Sequence, residues 1–178
     1  MLYKIFSYDI FGYIVNIITC VGVFLTFFQL KFSKKEAQVS YEWEKKKVTI
    51  EMFQKYEAEI HNYNRWMYNN FKYNVIPLNK IIGDKKVHKN IKKYLNELEF
   101  ICTAVNLEIY DIDTLDRLYG DVIERIYNQT YQYIKYMREQ RNYDAVYAEF
   151  EIVAKKMMKM RYGRSEVLNS NAPMRNKL

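Results

Sequence analysis

The stretch Ile10–Phe28 reads IFGYIVNIITCVGVFLTFF and contains no charged residue. Two more uncharged residues follow before Lys31. A helix of about 20 residues rises about 30 Å, which is the thickness of the hydrocarbon core of a bilayer. Core helices rarely run this long without a charge, and a signal peptide would be shorter and end in small residues, whereas this stretch ends in Phe27 and Phe28. It therefore predicts an uncleaved transmembrane helix.

The cations on the two sides of this stretch predict its orientation. On the N-terminal side Lys4 is offset by Asp9, whereas Lys31, Lys34 and Lys35 crowd the C-terminal side. Positively charged flanks stay on the cytoplasmic side of a membrane. We therefore expect a single-pass protein of the cell (inner) membrane, with its C-terminal domain in the cytoplasm.

The composition excludes an all-β fold and a disulfide scaffold. The 178 residues include only 5 Gly and 2 Pro, too few for the turns that many short strands require. The two cysteines, Cys20 and Cys102, lie in unrelated surroundings without metal-ligand spacing, and we interpret both as reduced and inert. The remaining fold class is all-α.

Apolar residues at helical spacing predict a bundle after the anchor. No Gly or Pro occurs between Gly22 and Pro77, so one helix can run through this region, although Ser33–Glu36 also fits a capping box that would start a new helix. One face of this region carries Met52, Phe53, Tyr56, Ile60, Tyr63, Met67 and Phe71. A later amphipathic helix carries Val87, Ile91, Tyr94, Leu98, Ile101 and Val105.

Capping and turn residues predict the other boundaries. Pro77 and Gly83 mark residues 75–86 as the main loop. Asp111 is a candidate N-cap for a short helix that ends at Gly120, after which a longer helix follows.

The last predicted helix begins at Asn142 or Asp144 and turns Tyr143 inward, and the chain frays after it. We therefore divide the chain into a membrane anchor, a cytoplasmic domain and a basic tail. The anchor covers residues 1–32. The cytoplasmic domain covers residues 33–160 as a bundle of four to five helices, and the flexible tail covers residues 161–178.

Several short motifs follow one another in a characteristic order. They are VTIEMFQKY (48–56), YLNELEFI (94–101), IYDIDTLDRLYGDVIERIY (109–127), an arginine near the end of the next helix, and YAEFEIVA (147–154). In order and spacing the chain resembles, from Lys47 to Lys156, a bacterial family of domains of unknown function. This resemblance implies a single-span membrane protein with a helical cytoplasmic domain and implies no activity. Its recognisable positions are Asn96, Glu99, Asp111, Gly120, Arg138 or Arg141, Tyr147, Phe150 and Glu151.

The chain lacks the residue patterns of common catalytic and metal sites. His61 and His88 have no nucleophile in a nearby motif, and Ala58 and Lys85 stand where a di-iron bundle needs glutamate. The DIDTLD run at 111–116 lacks the glycine of a calcium loop, and no glycine-rich phosphate loop occurs. We therefore expect no catalytic residue, no metal site and no cofactor.

One polar constellation stands out among the predicted helices. It comprises Asn96, Glu99, Arg138 and Glu151. Glu99 lies beside the apolar stripe of Leu98 and Ile101, so its carboxylate is half-buried and needs a cation. We expect it to face Arg138 or Arg141, with the amide of Asn96 within hydrogen-bonding reach. We favour a structural ion pair over the alternative of a ligand site.

Small and polar residues share one face of the predicted span. They are Gly12, Asn16, Thr19, Val23 and Thr26, spaced by four and three residues in turn. In lipid, small residues let helices approach closely, and an Asn side chain finds a partner only across an interface. We therefore expect the span to self-associate; the alternative is an isolated span that tolerates one Asn.

These features predict a non-enzymatic, membrane-anchored helical interaction or scaffold protein that contacts lipid, copies of itself and an unidentified protein partner. The alternatives are a membrane effector or regulator in bacterial stress or phage defence, and a membrane-tethered nucleic-acid binder. The net charge of +7 arises mainly from residues 80–93 and the tail. Each Lys or Arg near the cytoplasmic leaflet gains about 1 kcal/mol from anionic lipid alone, so we do not expect nucleic acid as a partner.

Overall fold

The computed structural model describes the backbone of residues 2–72 and 74–170 and the side chains of residues 12–72 and 74–163. Within these ranges the chain forms five α-helices and no strand. They are α1 (Leu2–Phe71), α2 (Leu78–Gly83), α3 (Lys85–Asn106), α4 (Ile112–Arg141) and α5 (Ala148–Ser170). The predicted all-α fold, in which a long apolar helix precedes a helical bundle, is confirmed.

The chain divides into two compact units, Met1–Glu44 and Lys45–Leu178, which we call the first and the second unit. The 70 residues of α1 contribute to both. This helix passes through Ser33–Glu36 without a break, so the capping box there does not start a new helix. The boundary between the units lies at residue 44, beyond the predicted end of the anchor at residue 32.

The described residues of the first unit all belong to α1, and their apolar side chains are exposed. Ile18, Phe24 and Phe27 expose between 64% and 66% of their surface. Burying one such side chain contributes about 1.5–3 kcal/mol, so this surface favours an apolar environment over water. By length and composition alone, α1 is able to cross a membrane.

The core of the second unit joins the later part of α1 to the other helices. The predicted apolar face of α1 is confirmed, because Met52, Ile60 and Met67 are buried and the aromatic residues between them pack against the core. The predicted face of α3 is confirmed as well. Fully buried side chains include Ile91, Leu95 and Leu98 of α3, Ile123, Ile126, Tyr133 and Ile134 of α4, and Phe150 and Met157 of α5. Their burial is the main stabilising contribution to this unit.

The predicted main loop, residues 75–86, contains a short helix, α2, between its Pro and Gly. Ile76 and Ile81 are both 0% exposed, so this connection is anchored in the core. Asp84 then caps α3, because its carboxylate accepts hydrogen bonds from two backbone N–H groups of the first turn at 2.8 and 3.1 Å. The turn residues therefore mark the ends of α2 instead of a continuous loop.

Gly120 does not end a short helix, as we predicted, but lies within α4. Asp111 does cap this helix, since its carboxylate accepts a hydrogen bond from the N–H of Thr114 at 2.8 Å. A Cβ at Gly120 would lie 2.1 Å from a guanidinium nitrogen of Arg161 and 2.2 Å from Oδ1 of Asp116. Glycine therefore permits the close approach of a side chain from α5 here and does not mark a turn.

The predicted start of the last helix at Asn142 or Asp144 is wrong. Asn142 instead ends α4 in the left-handed conformation, with φ of 46°. The chain turns again at Tyr147, with φ of 57°, before α5 begins. Tyr143, which we expected to point inward, is 61% exposed because it belongs to this connection.

The last helix, α5, continues to Ser170 and so enters the segment that we predicted to be a flexible tail. Arg161 holds this part of α5 against α4, because its guanidinium contacts the carboxylates of Asp116 at 2.9 Å and Glu124 at 3.2 Å. The remainder of the predicted tail, residues 171–178, lies outside the described residues.

We predict that Gly120→Ala lowers the free energy of unfolding by about 1–3 kcal/mol, because the added methyl group forces Arg161 and Asp116 away from α4. Urea unfolding of the full-length protein in mild detergent measures this loss. The reactivity of the buried thiol of Cys102 reports unfolding in a Cys20→Ser background, since Cys20 is exposed in the folded chain.

Gly163→Ala is the matched control for this change. No atom lies within 4 Å of a Cβ added there, so alanine has room in the helix. Its higher helix propensity should raise the stability by up to about 1 kcal/mol. Equal stability of the two alanine variants would contradict the explanation given for Gly120.

Candidate functional site

Glu99 of α3 reaches the start of α5. Its carboxylate accepts hydrogen bonds from the backbone N–H groups of Glu149 at 3.3 Å and Phe150 at 2.8 Å. A helix start has unpaired N–H donors and a partial positive charge, both of which stabilise a carboxylate. Burial nevertheless raises the pKa of Glu99, because these backbone hydrogen bonds offset desolvation only in part. The carboxylate of Glu99 therefore caps the start of α5 and does not form the predicted ion pair with Arg138 or Arg141.

Arg138 pairs with Glu151, at 2.7 Å between Nη2 and Oε2. Its Nε also donates a hydrogen bond to the carbonyl oxygen of Val146 at 2.9 Å. The hydroxyl group of Tyr127 in α4 donates a hydrogen bond to the carboxylate of Glu151 at 2.9 Å. These contacts join the end of α4, the connection after it and the first turn of α5.

The carboxylate of Glu151 is the centre of this arrangement. Burial alone would raise its pKa, but hydrogen bonds from Lys155, Arg138 and Tyr127 outweigh that effect and lower the pKa to about 2. It stays charged throughout the physiological range, so it does not serve as a proton donor. Its geometry fits a structural role in holding α5 to α4.

Asn96 does not join the other three predicted residues. It is exposed on α3 and lines an apolar groove between α1 and α3. The groove has a volume of about 320 Å³, within the range of about 300–1,000 Å³ typical of ligand sites. Its apolar lining consists of Met52, Tyr56, Ile60, Tyr94, Leu98, Phe100, Ile101 and Tyr110. The charged lining residues are Glu59, Lys93 and Glu97.

This groove was not predicted from the sequence. Phe100, beside Ile101 in the chain, lies outside the predicted apolar stripe of α3 and is 68% exposed. Leu107 and Ile109, just after α3, expose 67% and 52% of their surface. In the sequence, this groove could have been indicated only by the apolar residues in and just after α3 that lie outside the predicted stripe.

The predicted interface of the span is exposed along α1. The hydroxyl groups of Thr19 and Thr26 donate to the carbonyl oxygens of Val15 and Gly22, each at 2.8 Å. Their polar groups are thus satisfied within the helix. Gly12 has no heavy atom within 4 Å of a Cβ placed on it, so this face has room for a close neighbour.

The histidines have ordinary surroundings. The side chain of His61 is 70% exposed and lies 3.9 Å from the carboxylate of Glu57. The ring of His88 packs edge-on against Tyr133, with ring centroids 5.5 Å apart. Burial raises the pKa of the Cys102 thiol, so it is not a nucleophile. Among the described residues, no group of three or more His, Cys, Asp or Glu could hold a metal ion.

We predict that Glu151→Gln lowers the free energy of unfolding by about 1–3 kcal/mol at pH 7, because charged hydrogen bonds from Arg138 and Lys155 are lost. The folded-state pKa of Glu151, about 2, lies below the ordinary value of 4.5. The stability that it contributes is therefore present above about pH 4.5 and is lost as the pH falls toward 2. Urea unfolding at neutral and acidic pH measures the difference between wild type and variant.

The control for this prediction is Glu139→Gln. Glu139 is exposed on α4 and makes no ion pair with the side chains that the structure describes. Its replacement should change the stability by less than about 0.5 kcal/mol at any pH. If Glu151→Gln changes the free energy of unfolding as little as Glu139→Gln does, or by the same amount at neutral and acidic pH, the carboxylate of Glu151 does not hold α5 to α4.

Comparison with known proteins identifies the family of the chain. Residues 16–157 match the model of a domain of unknown function, DUF4760. No curated protein and no solved structure matches the chain. The matched range begins within the apolar part of α1 and ends in α5, so it includes part of the first unit and most of the second. The chain therefore belongs to the DUF4760 family of domains of unknown function.

Proposed function

We propose that the chain is a non-enzymatic, membrane-anchored helical interaction protein. In this proposal it self-associates through α1 and presents its second unit to a protein partner in the cytoplasm. The observation that carries the proposal is the apolar surface of α1 between Gly12 and Phe32, which stays exposed in the described part of the chain. A soluble monomer rarely exposes a contiguous apolar surface of this length.

Anchoring in lipid explains this surface without any further protein element. The apolar side chains surround the helix instead of forming one stripe, and Val21, Phe24 and Phe28 belong to this set. A helix that is apolar all round is suited to a membrane or to the core of a large protein. Because the apolar part of α1 is exposed, the membrane is the environment that fits it.

The proposed orientation rests on charge. Lys31, Lys34 and Lys35 follow the apolar run directly and are exposed. Anionic lipids of the cytoplasmic leaflet attract such residues, with about 1 kcal/mol for each one near the surface. We therefore propose that the second unit lies in the cytoplasm, at the inner membrane.

The proposed self-association rests on Gly12 and Asn16. The threonines on the same face bond within their own helix, so they contribute small size and no polar pair. The amide of Asn16 makes no hydrogen bond to a described residue, and in hydrocarbon it gains one from a second copy of α1. Such a pair contributes about 0.6–2 kcal/mol, and close packing at Gly12 adds to it.

The groove between α1 and α3 is the proposed surface for a protein partner. It belongs entirely to the second unit, and Phe100 exposes most of its ring beside it. Aromatic residues that are exposed next to a concave apolar surface are frequent anchors of protein interfaces. No group near this groove has the geometry of a nucleophile with a base, which supports binding over catalysis.

We predict that Asn16→Leu and Gly12→Ile each reduce the crosslinked dimer of the full-length protein in native membranes by half or more, because the polar pair or the close approach is lost. Crosslinking in isolated membranes, followed by electrophoresis, measures the dimer fraction. Leucine keeps the segment apolar, so membrane insertion is retained.

Ile18→Leu is the matched control, since Ile18 lies on another side of α1 and keeps its volume and character. The dimer fraction of this variant should equal that of wild type. A monomeric wild type, or equal crosslinking of all variants, would remove α1 as the interface.

A further inference from the structure

A second concave pocket, with a volume of about 260 Å³, lies between the end of α1 and the middle of α4 in the second unit. Its lining includes three permanent cations, Arg65 of α1, Lys72 in the turn just after α1 and Arg125 of α4, together with His61 and Asn64. No carboxylate belongs to the lining that the structure describes. Positive charge is therefore focused in a concave site instead of being spread over the surface.

Two carboxylates near these cations in the sequence contact other side chains. Glu57 contacts the histidine of the pocket at 3.9 Å. Glu124, beside the arginine of α4, pairs with Arg161 at 3.2 Å. Within residues 12–72 and 74–163, neither Arg65 nor Lys72 makes an ion pair. Arg65 and Lys72 thus have no counter-ion among the described side chains.

Hydrogen bonds fix the main chain at Lys72. Its φ is 53°, in the left-handed region that non-glycine residues seldom adopt, and its N–H donates to the carbonyl oxygen of Tyr68 at 2.8 Å. The side-chain amide of Gln129 in α4 donates to the carbonyl oxygen of Lys72 at 2.9 Å and to that of Asn74 at 3.2 Å. Gln129 is 2% exposed, so a buried residue of α4 fixes the turn that carries this lysine.

Arg125 is oriented by a chain of hydrogen bonds that leads into the core. Its Nη2 donates to Oδ1 of Asn64 at 3.4 Å, and Nδ2 of the same amide donates to the hydroxyl of Tyr119 at 3.0 Å. The hydroxyl groups of Tyr119 and Tyr94 lie 2.6 Å apart. The dipole of α1 favours a cation just after its C-terminus, as at Lys72, but does not account for an arginine in the middle of α4.

We propose that this pocket binds a phosphate-type oxyanion. The planar guanidinium groups of Arg65 and Arg125 present forked N–H donors that match phosphate oxygens, and the ammonium group of Lys72 adds a third point of charge. The like charges of Arg65 and Lys72 lie in one pocket and have no counter-ion among the described side chains, and an anion between them is attracted to both. The oxyanion is carried either by a small soluble phosphate compound or by a phospholipid headgroup.

Isothermal titration of the full-length protein with pyrophosphate tests the soluble source. The protein is reconstituted in phosphatidylcholine nanodiscs, and sodium chloride keeps the ionic strength constant. We expect one pyrophosphate per chain. The exposed residues Arg65 and Lys72 are changed singly to glutamine, and each change should weaken binding about tenfold or more. Lys85→Gln and Lys89→Gln remove the same charge from α3 and should change the affinity less than about twofold.

Nanodiscs with phosphatidylglycerol test the headgroup source. In this arm the urea midpoint of unfolding, followed by labelling of Cys102, should be higher than in phosphatidylcholine, and Arg65→Gln should remove the difference while Lys85→Gln retains it. A response in either arm that depends on Arg65 and Lys72 supports the proposal and identifies the source. The absence of a response in both arms, or an equal loss in the Lys85→Gln control, overturns it.

Discussion

An uncharged helical surface about twenty residues long is poorly compatible with water, and this constraint organises the whole chain. In the described part of α1 from Gly12 to Phe32, the side chains remain exposed. From Gly12 onward, the first fully buried residue of this helix is Thr49, whose hydroxyl accepts a hydrogen bond from the N–H of Asp111 at 2.8 Å. The helix thus has one part suited to lipid and another part that belongs to a protein core.

Within the second unit, polar contacts attach α5 to the other helices at its start and near its middle. Glu99 of α3 caps its first turn, and Arg138 of α4 pairs with Glu151 in the same turn. Arg161 reaches back across Gly120 to the carboxylates of α4. Apolar burial holds the helices together, whereas these directional contacts fix how α5 is placed along them.

The apolar faces of α1 and α3 could be predicted because burial follows the helical period of the sequence. The role of Gly120 could not, since the requirement for glycine comes from Arg161 on another helix. Glu99 was correctly singled out as a half-buried carboxylate, but its partners are backbone N–H groups, which have no signature in the sequence. The groove at Phe100 escaped prediction because it depends on how two helices meet.

The central claim is that α1 anchors the chain once in the membrane and leaves the second unit in the cytoplasm. The most direct measurement is protease treatment of intact spheroplasts that express the full-length protein with a C-terminal tag. The account predicts that the tag resists digestion until the membrane is permeabilised and that alkaline carbonate does not release the protein. Digestion of the tag in intact spheroplasts, or release of the protein by carbonate, would contradict it.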